Sequence, residues 1–241
     1  MKRILDIINT VAAYIAAISM ILILLVTSVD YNCFNKSFYA KEYRILETAQ
    51  TLGMTEDDLN KATYTLLDYL QHDREDIKTE IQLRGTKVEA FNAREASHMV
   101  DVRDLYDFAI TLRYVGFGLL VVSLLYLFAY ARMGAFTHLS IAFMKTAVLF
   151  AVFIIMIGIW AIADFDAFWT AFHRLAFRND LWLLNPNTDL MINLFPSAFF
   201  SKMVMRIILG FAIGFGSLFV ISYAYLRRKL HRMHQEIVSN E

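Results

Sequence analysis

Two histidines stand out in the 241-residue sequence because their neighbours suit acid–base chemistry. His98 lies between Glu95 and Asp101, and helical spacing places these acids at i−3 and i+3, where they can orient the imidazole or raise its pKa. His173 lies in an aromatic segment, with Trp169 one helical turn earlier. Because an imidazole ionises near neutral pH, two of them can serve as a general acid and a general base.

Other uses of the two histidines remain open from the residues alone. A metal site would add carboxylates from Glu95, Asp101 or Asp180, but no H-E-x-x-H or Cys–His cluster supports one. A serine hydrolase would need Ser97 or Ser201 beside a histidine. Ser97 is adjacent to His98 on the predicted helix and so points away from it, and no G-x-S-x-G motif is present. Each histidine could also satisfy only a local hydrogen bond. If the protein is an enzyme, we expect acid–base catalysis on a substrate that supplies its own nucleophile, without metal or cofactor.

The composition places these histidines in a membrane protein. Hydrophobic residues make up 58% of the chain, and mean hydropathy is +0.46. At 1.5 Å per residue, four uncharged stretches can each cross a hydrocarbon core of about 30 Å. They are residues 7–29, 114–131, 146–163 and 207–226. We therefore predict an all-α polytopic membrane protein with four transmembrane helices, and their lack of ionisable residues argues against an ion pathway.

The charges are distributed unevenly along the chain although the net charge is zero, which gives no reason to expect nucleic-acid binding. The N-terminus, the connection 132–145 and the tail 227–241 together carry eight cations against three acids. The loop 30–113 carries eleven cations against sixteen acids, and the loop 164–206 carries four of each. The positive-inside rule therefore predicts cytoplasmic termini and two extracellular loops.

The segment 30–113 is patterned as a folded extracellular cap. We predict one helix over residues 36–52, ended by Gly53, and a second that begins at Thr55 with acids in its first turn. Alternating apolar residues on either side of Arg84-Gly85 indicate a short β-hairpin. From Ala93 a helix is expected to lead into the second span. The cap is thus predicted to be mostly helical with one hairpin.

The remaining segments complete the predicted domain organisation. Residues 1–29 form the first transmembrane helix, and 114–163 hold the second and third with a short cytoplasmic loop. Residues 164–206 form an aromatic extracellular loop of short interfacial helices, for which Asn185-Pro186 and Phe195-Pro196 look like helix starts. The fourth helix, 207–226, is followed by the basic cytoplasmic tail 227–241.

Two outer stretches carry a family resemblance. The segment from Glu95 through His98 to Val102, and the segment from Phe172 through the run 179–189 to Phe195-Pro196, resemble the bacterial lipoprotein intramolecular transacylases. The likeness covers essentially the whole chain. The chain departs from the pattern at Asn185, where Asp is frequent, and at Ser197, where an acid is expected; neither change affects the histidines.

The resemblance implies a reaction: the sn-2 acyl chain of a lipoprotein's diacylglyceryl group moves to the α-amine of the same N-terminal cysteine, giving the lyso-form. By this resemblance His98 and His173 are the catalytic pair. Candidate residues that bind or orient the substrate are Glu95, Asp101, Trp169, Phe172, Arg174, Asn179, Asp180 and Trp182. The expected partners are a diacylated lipoprotein in the outer leaflet and the lipids of a bacterial plasma membrane. The alternative is a non-enzymatic membrane protein whose cap docks a partner.

Overall fold

The computed structural model describes residues 2–239, and within that range the chain is almost entirely helical. The elements in chain order are α1 (Lys2–Cys33), α2 (Lys36–Ile45), α3 (Thr48–Leu52), α4 (Glu56–Leu70), β1 (Glu80–Leu83), β2 (Thr86–Glu89), α5 (Ala93–Tyr126), α6 (Ala135–Ala163), α7 (Phe165–Ala176), α8 (Leu190–Leu194) and α9 (Ser197–Ser239). A π-helical segment, Leu127–Ala131, and a 3-10 turn, Arg132–Gly134, connect α5 to α6.

Three helical stretches within residues 2–239 are long and apolar enough to cross a membrane: Arg3–Cys33, Ala93–Ala163 and Ser197–Ser239. The middle stretch has 71 residues and includes both α5 and α6. It is interrupted between them, where Arg132 adopts a positive φ of 45°. Two of the four predicted spans fall inside this single stretch, so the number of crossings stays a prediction.

The chain divides into two compact units, and the first comprises Met1–Val29, Ile110–Ile159 and Ile207–Glu241. Its core combines small and aromatic residues: Ala12, Ala13, Ala17, Ile21, Leu127, Ala135, Ala142, Phe143, Ala147 and Phe211. Alanines on α1 and α6 allow helix backbones to approach closely. At Gly214 an added Cβ would lie 3.1 Å from the Leu24 side chain, so α9 also packs tightly on α1.

The second unit comprises Asp30–Ala109 and Trp160–Arg206. Its helices α2 and α4 meet at Tyr43, whose hydroxyl lies 2.7 Å from Thr63 Oγ1. The ring of Tyr43 stacks on Phe199 of α9, with centroids 5.4 Å apart. The buried carboxylate of Glu42 accepts a hydrogen bond from Lys202 Nζ. Aromatic packing and one ion pair thus attach α2 to the start of α9.

The predicted hairpin is confirmed. Strands β1 and β2 pair antiparallel, with Leu83 opposite Thr86. Between them Arg84 and Gly85 both have positive φ, as a two-residue turn of type I′ requires. The main-chain N–H of Arg84 donates to the Gly53 carbonyl at 2.7 Å. Gly53 itself has φ 72°, and a Cβ there would lie 3.0 Å from the Arg84 side chain, so this contact favours glycine.

Two helix predictions need correction and two are confirmed. The helix expected over 36–52 is two helices, because the left-handed conformation of Glu47, with φ 51°, interrupts the helix between α2 and α3. Asn185-Pro186 does not start a helix: Asp189 Oδ2 accepts the Asn185 N–H and closes a turn, and α8 begins only at Leu190. The helix starts at Thr55 and after Pro196 are confirmed.

Candidate active site

His98 is held on the first turns of α5, in the charged part of this helix that precedes its apolar stretch. The turn is fixed by a reciprocal cap. Asn92 Oδ1 accepts the Glu95 N–H at 3.1 Å, and Glu95 Oε2 accepts the Asn92 N–H at 2.8 Å. His98 lies one turn further along and is 6% exposed. Its Nδ1 atom is buried and has no hydrogen-bond partner among the described residues.

His173 is held near the end of α7. This helix starts at Asp164, whose side chain accepts the Ala167 N–H at 3.0 Å. Nδ1 of His173 lies 2.8 Å from the main-chain carbonyl oxygen of Trp169, one turn earlier. Because a carbonyl oxygen only accepts hydrogen bonds, Nδ1 must carry a proton. The neutral ring therefore has its lone pair on Nε2.

The structure brings the two imidazoles together. Their ring centroids are 6.1 Å apart and the planes are inclined by 34°. The buried ring of Phe177 lies against both, at 5.2 Å from His98 and 5.6 Å from His173. Two nitrogen bases thus lie within reach of one small group of a substrate, and an apolar ring packs against both.

Burial keeps both imidazoles uncharged at neutral pH. Desolvation, followed by repulsion from His173, lowers the pKa of His98 to about 4, although Asp101 acts in the opposite direction. Desolvation also lowers the pKa of His173, partly opposed by the hydrogen bond to the Trp169 carbonyl. Two neutral imidazoles can each donate through one nitrogen and accept through the other.

The histidines line a cleft of about 320 Å³. Most of its lining is apolar or aromatic: Leu66, Met99, Trp169, Trp182, Leu183, Leu184, Met191, Ile192, Phe195, Pro196 and Phe200. Trp169 packs on Phe200 at 4.4 Å and on His173 at 4.9 Å. Apart from the histidines, the polar side chains in the lining are Thr170 and Ser197. Such a lining suits an acyl chain with an ester at one end.

Among the other predicted site residues, two tryptophans line the cleft. Trp169 forms one wall, and Trp182 lies 5.1 Å from the His173 ring while its Nε1 donates to the Asn179 carbonyl. Phe172 stacks on Trp169 and does not line the cleft. Arg174 lines a separate shallow groove.

The predicted polar residues have partners in the protein. Asp101 Oδ2 accepts a hydrogen bond from Asn179 Nδ2 at 2.8 Å. Asp180 accepts one from Arg94 through its main-chain carbonyl, and the carboxylate of Glu95 is bonded to main-chain N–H groups. These contacts join α5 to the loop after α7. Within residues 2–239, no cluster of three His, Cys, Asp or Glu side chains is arranged to hold a metal ion.

Sequence reasoning did not assign several cleft residues. Leu66 belongs to the predicted apolar face of α4, and Phe195 and Phe200 belong to the aromatic loop, so burial was foreseeable for them. Nothing in the sequence relates Leu66 to residues more than a hundred positions away. Thr170 and Ser197 carry no signal beyond their hydroxyl groups.

The fold is similar to solved structures of a membrane integral protein, the lipoprotein intramolecular transacylase Lit from Bacillus cereus. One structure is 20% identical, with a TM-score of 0.71, and the match covers 93% of this chain and 98% of that one. A second, of a variant with one histidine replaced by alanine, is 19% identical, with a TM-score of 0.69 and coverage of 92% and 96%. No curated protein matches the chain.

Fold similarity at 19–20% identity does not assign the chain to a family, but a match to a family model does. The model of the lipoprotein intramolecular transacylase Lit matches residues 14–200, which is well over half of the chain. That family comprises membrane acyltransferases, so the chain is an enzyme and not the non-enzymatic docking protein that the sequence left open. The chain belongs to the lipoprotein intramolecular transacylase Lit family.

Proposed function

We propose that this membrane acyltransferase moves the sn-2 acyl chain of a diacylated lipoprotein to the α-amine of the N-terminal cysteine of the same molecule. The product is an N-acylated lipoprotein with a free sn-2 hydroxyl, the lyso-form. The observation that carries the proposal is the pair His98 and His173, 6.1 Å apart on the wall of an apolar cleft. An imidazole pair suits a reaction whose nucleophile and leaving group both belong to the substrate.

His173 acts as the general base in this proposal. Its Nδ1 proton is bonded to the Trp169 carbonyl, so the lone pair on Nε2 is available. The amine, in its neutral form, attacks the sn-2 ester carbonyl carbon while Nε2 takes its proton. A new C–N bond forms, and the C–O bond to the glyceryl oxygen then breaks. The same nitrogen returns the proton to that departing oxygen, so the step needs no other reactant.

His98 acts as the hydrogen-bond donor. A buried N–H without an acceptor is rarer in proteins than a buried acceptor without a donor. The unpartnered Nδ1 of His98 therefore favours the tautomer with the proton on Nε2. That N–H donates to the ester carbonyl oxygen as it gains negative charge in the tetrahedral intermediate. A lowered pKa keeps His98 in this neutral form at physiological pH.

The apolar cleft contributes by confining the substrate. The amine and the ester belong to one flexible lipid headgroup, and bringing them together costs conformational entropy. Trp169, Trp182 and Phe195 offer a rigid aromatic surface on which the acyl chain can lie with the ester near the histidines. Orientation of this kind lowers the barrier because the ordering occurs on binding.

The proposed topology places this chemistry outside the cytoplasm. The short positively charged segments favour cytoplasmic N- and C-termini, four spans and an outward location for residues 30–113 and 164–206. Both histidines fall in these outward segments. The outer leaflet of the plasma membrane is therefore the proposed source of the lipoprotein.

Expression in a bacterial host whose lipoproteins keep the diacylglyceryl form tests the function. N-terminal lipopeptides are analysed by mass spectrometry, and fragmentation locates each acyl chain on the amine or on glycerol. We expect N-acylated lyso-form with the wild-type enzyme and the unchanged diacyl form with a His98→Ala/His173→Ala variant of equal abundance. Unchanged lipopeptides with folded wild-type protein contradict the proposal.

A further inference from the structure

The loop between α7 and α9 builds much of the cleft wall but has little regular structure of its own. It contributes Trp182, Leu183, Leu184, Met191 and Ile192 to the lining. Its only helix within the described residues is the five-residue α8. A helix this short is not stable alone, so its position depends on side chains from elsewhere.

The carboxylate of Glu95 holds the start of α8. Oε1 accepts the main-chain N–H of Met191 at 2.6 Å, across 96 positions of sequence. Oε2 accepts the N–H of Asn92 at 2.8 Å, which caps α5. Glu95 is 1% exposed, and both of its oxygens are occupied by main-chain donors. One side chain therefore joins the first turn of α5 to the first turn of α8.

A second carboxylate supports the same connection. Asp189 Oδ1 accepts from Asn92 Nδ2 at 2.8 Å, and its Oδ2 accepts from the Asn185 N–H at 2.7 Å. Asp189 is 4% exposed. We call Asn92, Glu95, Asp189 and the Met191 N–H the joint. Because Asn92 is bonded to both carboxylates, the joint is one connected network.

The joint lies one helical turn from His98. Residues Glu95 and His98 are three positions apart on α5, yet the carboxylate is bonded to main-chain N–H groups while Nδ1 of His98 has no partner. Glu95 thus does not hold the imidazole directly. It fixes the distance between the helix that carries His98 and the wall that Met191 lines.

We propose that Glu95 is a positioning residue for the acyl transfer, which holds the wall of the cleft at α8 in register with His98 through the joint. This inference rests on the proposed function. A displacement of about 1 Å between substrate and catalytic group can lower a rate by about a hundredfold. Loss of the joint is therefore expected to reduce kcat even though no joint side chain contacts the reacting atoms.

The variant Glu95→Gln tests the inference at constant side-chain shape. An amide has one acceptor oxygen and one NH₂ donor, so it can accept from Asn92 or Met191 but not from both. We expect kcat for lyso-form production to fall about 10- to 100-fold, with a pH–rate profile of unchanged shape. The control is Glu80→Gln, which removes an exposed carboxylate from the hairpin and should leave kcat unchanged.

Three outcomes would contradict either the proposed function or the positioning role of Glu95. An inactive wild-type enzyme overturns the proposed function itself. An active wild type with an equally active Glu95→Gln variant overturns only the positioning role. A slow Glu95→Gln variant whose pH–rate profile is shifted on its acid side also overturns the positioning role. In that case the carboxylate acts by changing the protonation of a histidine.

A second variant covers the case in which Glu95→Gln does not fold. Asn92→Ala removes the bond to Asp189 Oδ1 and the cap on the Glu95 N–H but keeps the main-chain N–H that Glu95 accepts. We expect a smaller fall in kcat, of about three- to tenfold, again with an unchanged pH profile. Folding of each variant is checked by thermal unfolding in detergent. Full activity of folded Asn92→Ala contradicts the joint as a network.

Discussion

The first turns of α5 and the last turns of α7 hold the same side chain in different ways. His98 is almost completely buried, and its Nδ1 has no partner among the described residues. His173 is more exposed, and its Nδ1 is bonded to the carbonyl of Trp169 within its own helix. Burial lowers the pKa of both. The two sites therefore differ in what surrounds Nδ1: a main-chain carbonyl at His173, and no hydrogen-bond partner among the described residues at His98.

In the proposed reaction, this contrast lets two identical residues take complementary roles without a charged partner. In many histidine sites a carboxylate fixes the tautomer. Here a helix carbonyl does so for His173, and in the proposed mechanism the unpartnered Nδ1 favours the other tautomer for His98. Both rings are neutral before the reaction starts, so the cleft does not have to solvate an imidazolium in its resting state.

The largest expected effect comes from replacing each histidine by glutamine, whose amide NH₂ can replace the Nε2–H group as a hydrogen-bond donor. His173→Gln removes the base, and we expect the rate to fall about 10²- to 10⁴-fold. His98→Gln keeps a donor near the ester oxygen, so a loss of roughly tenfold is expected. Rates of lyso-form production by mass spectrometry measure both. The reverse order of the two losses would exchange the roles of the histidines.

The pH dependence of the rate gives the second test. The base must be neutral to accept a proton. Because burial lowers the pKa of His173 below 6.5, the rise in rate that follows its deprotonation lies below pH 6.5. The substrate amine, with a pKa of about 7.7 to 8, adds a further rise. The rate should therefore increase from pH 5 and approach a plateau at about pH 9, where the amine is mostly neutral. A decline above pH 7 would mean that a protonated histidine is required, which a His98 pKa of about 4 does not allow.

Phe177 packs against both rings, so its replacement should affect them together. Phe177→Leu nearly conserves volume but loosens the contact, and we expect a rate about tenfold lower with a loss of about 1 kcal/mol in unfolding free energy. Phe38→Leu is the matched control, since Phe38 is also buried but packs against Phe199. Equal rate losses in the two variants would mean that Phe177 acts only through general stability.

The smallest effect on the rate is expected away from the histidines, at the ion pair that joins α2 to α9. The side chain of Glu42 is 9% exposed and that of Lys202 is 42% exposed. Lys202→Met leaves a buried carboxylate unpaired, so unfolding free energy should fall by about 1–2 kcal/mol, less than for a fully buried pair. The rate should change less than twofold. Denaturant unfolding in detergent and the lipopeptide assay measure the two quantities.

Local patterns were sufficient for one helix start and for the hairpin. The acids after Thr55 predict the start of α4, and the pair Arg84-Gly85 predicts the hairpin turn. Spacing along the chain also identifies His98 and His173 as the imidazoles of interest. Each of these signals lies within a few residues, where backbone preference and helix periodicity act directly.

The partners of the site residues could not be predicted in the same way. Glu95 was expected to orient His98 because helical spacing brings them together, but its carboxylate has main-chain donors, one of them 96 positions away. Every residue except proline carries a main-chain N–H, so no sequence pattern marks Met191 as a partner. The sequence likewise gives no sign that the main-chain carbonyl of Trp169 accepts a hydrogen bond from His173. Contacts with main-chain atoms, one across the fold and one within α7, therefore determine how the site residues are held.

The hydrogen bond from His173 to Trp169 also determines where a proton can go. With Nδ1 occupied, a proton taken up by Nε2 has no exit through the far side of the ring. In the proposed reaction only Nε2 of His173 takes up and releases a proton, so the proton returns to the same cleft from which it came. If the cleft excludes water during transfer, the proton that leaves the amine is therefore the same one that reaches the new glyceryl hydroxyl.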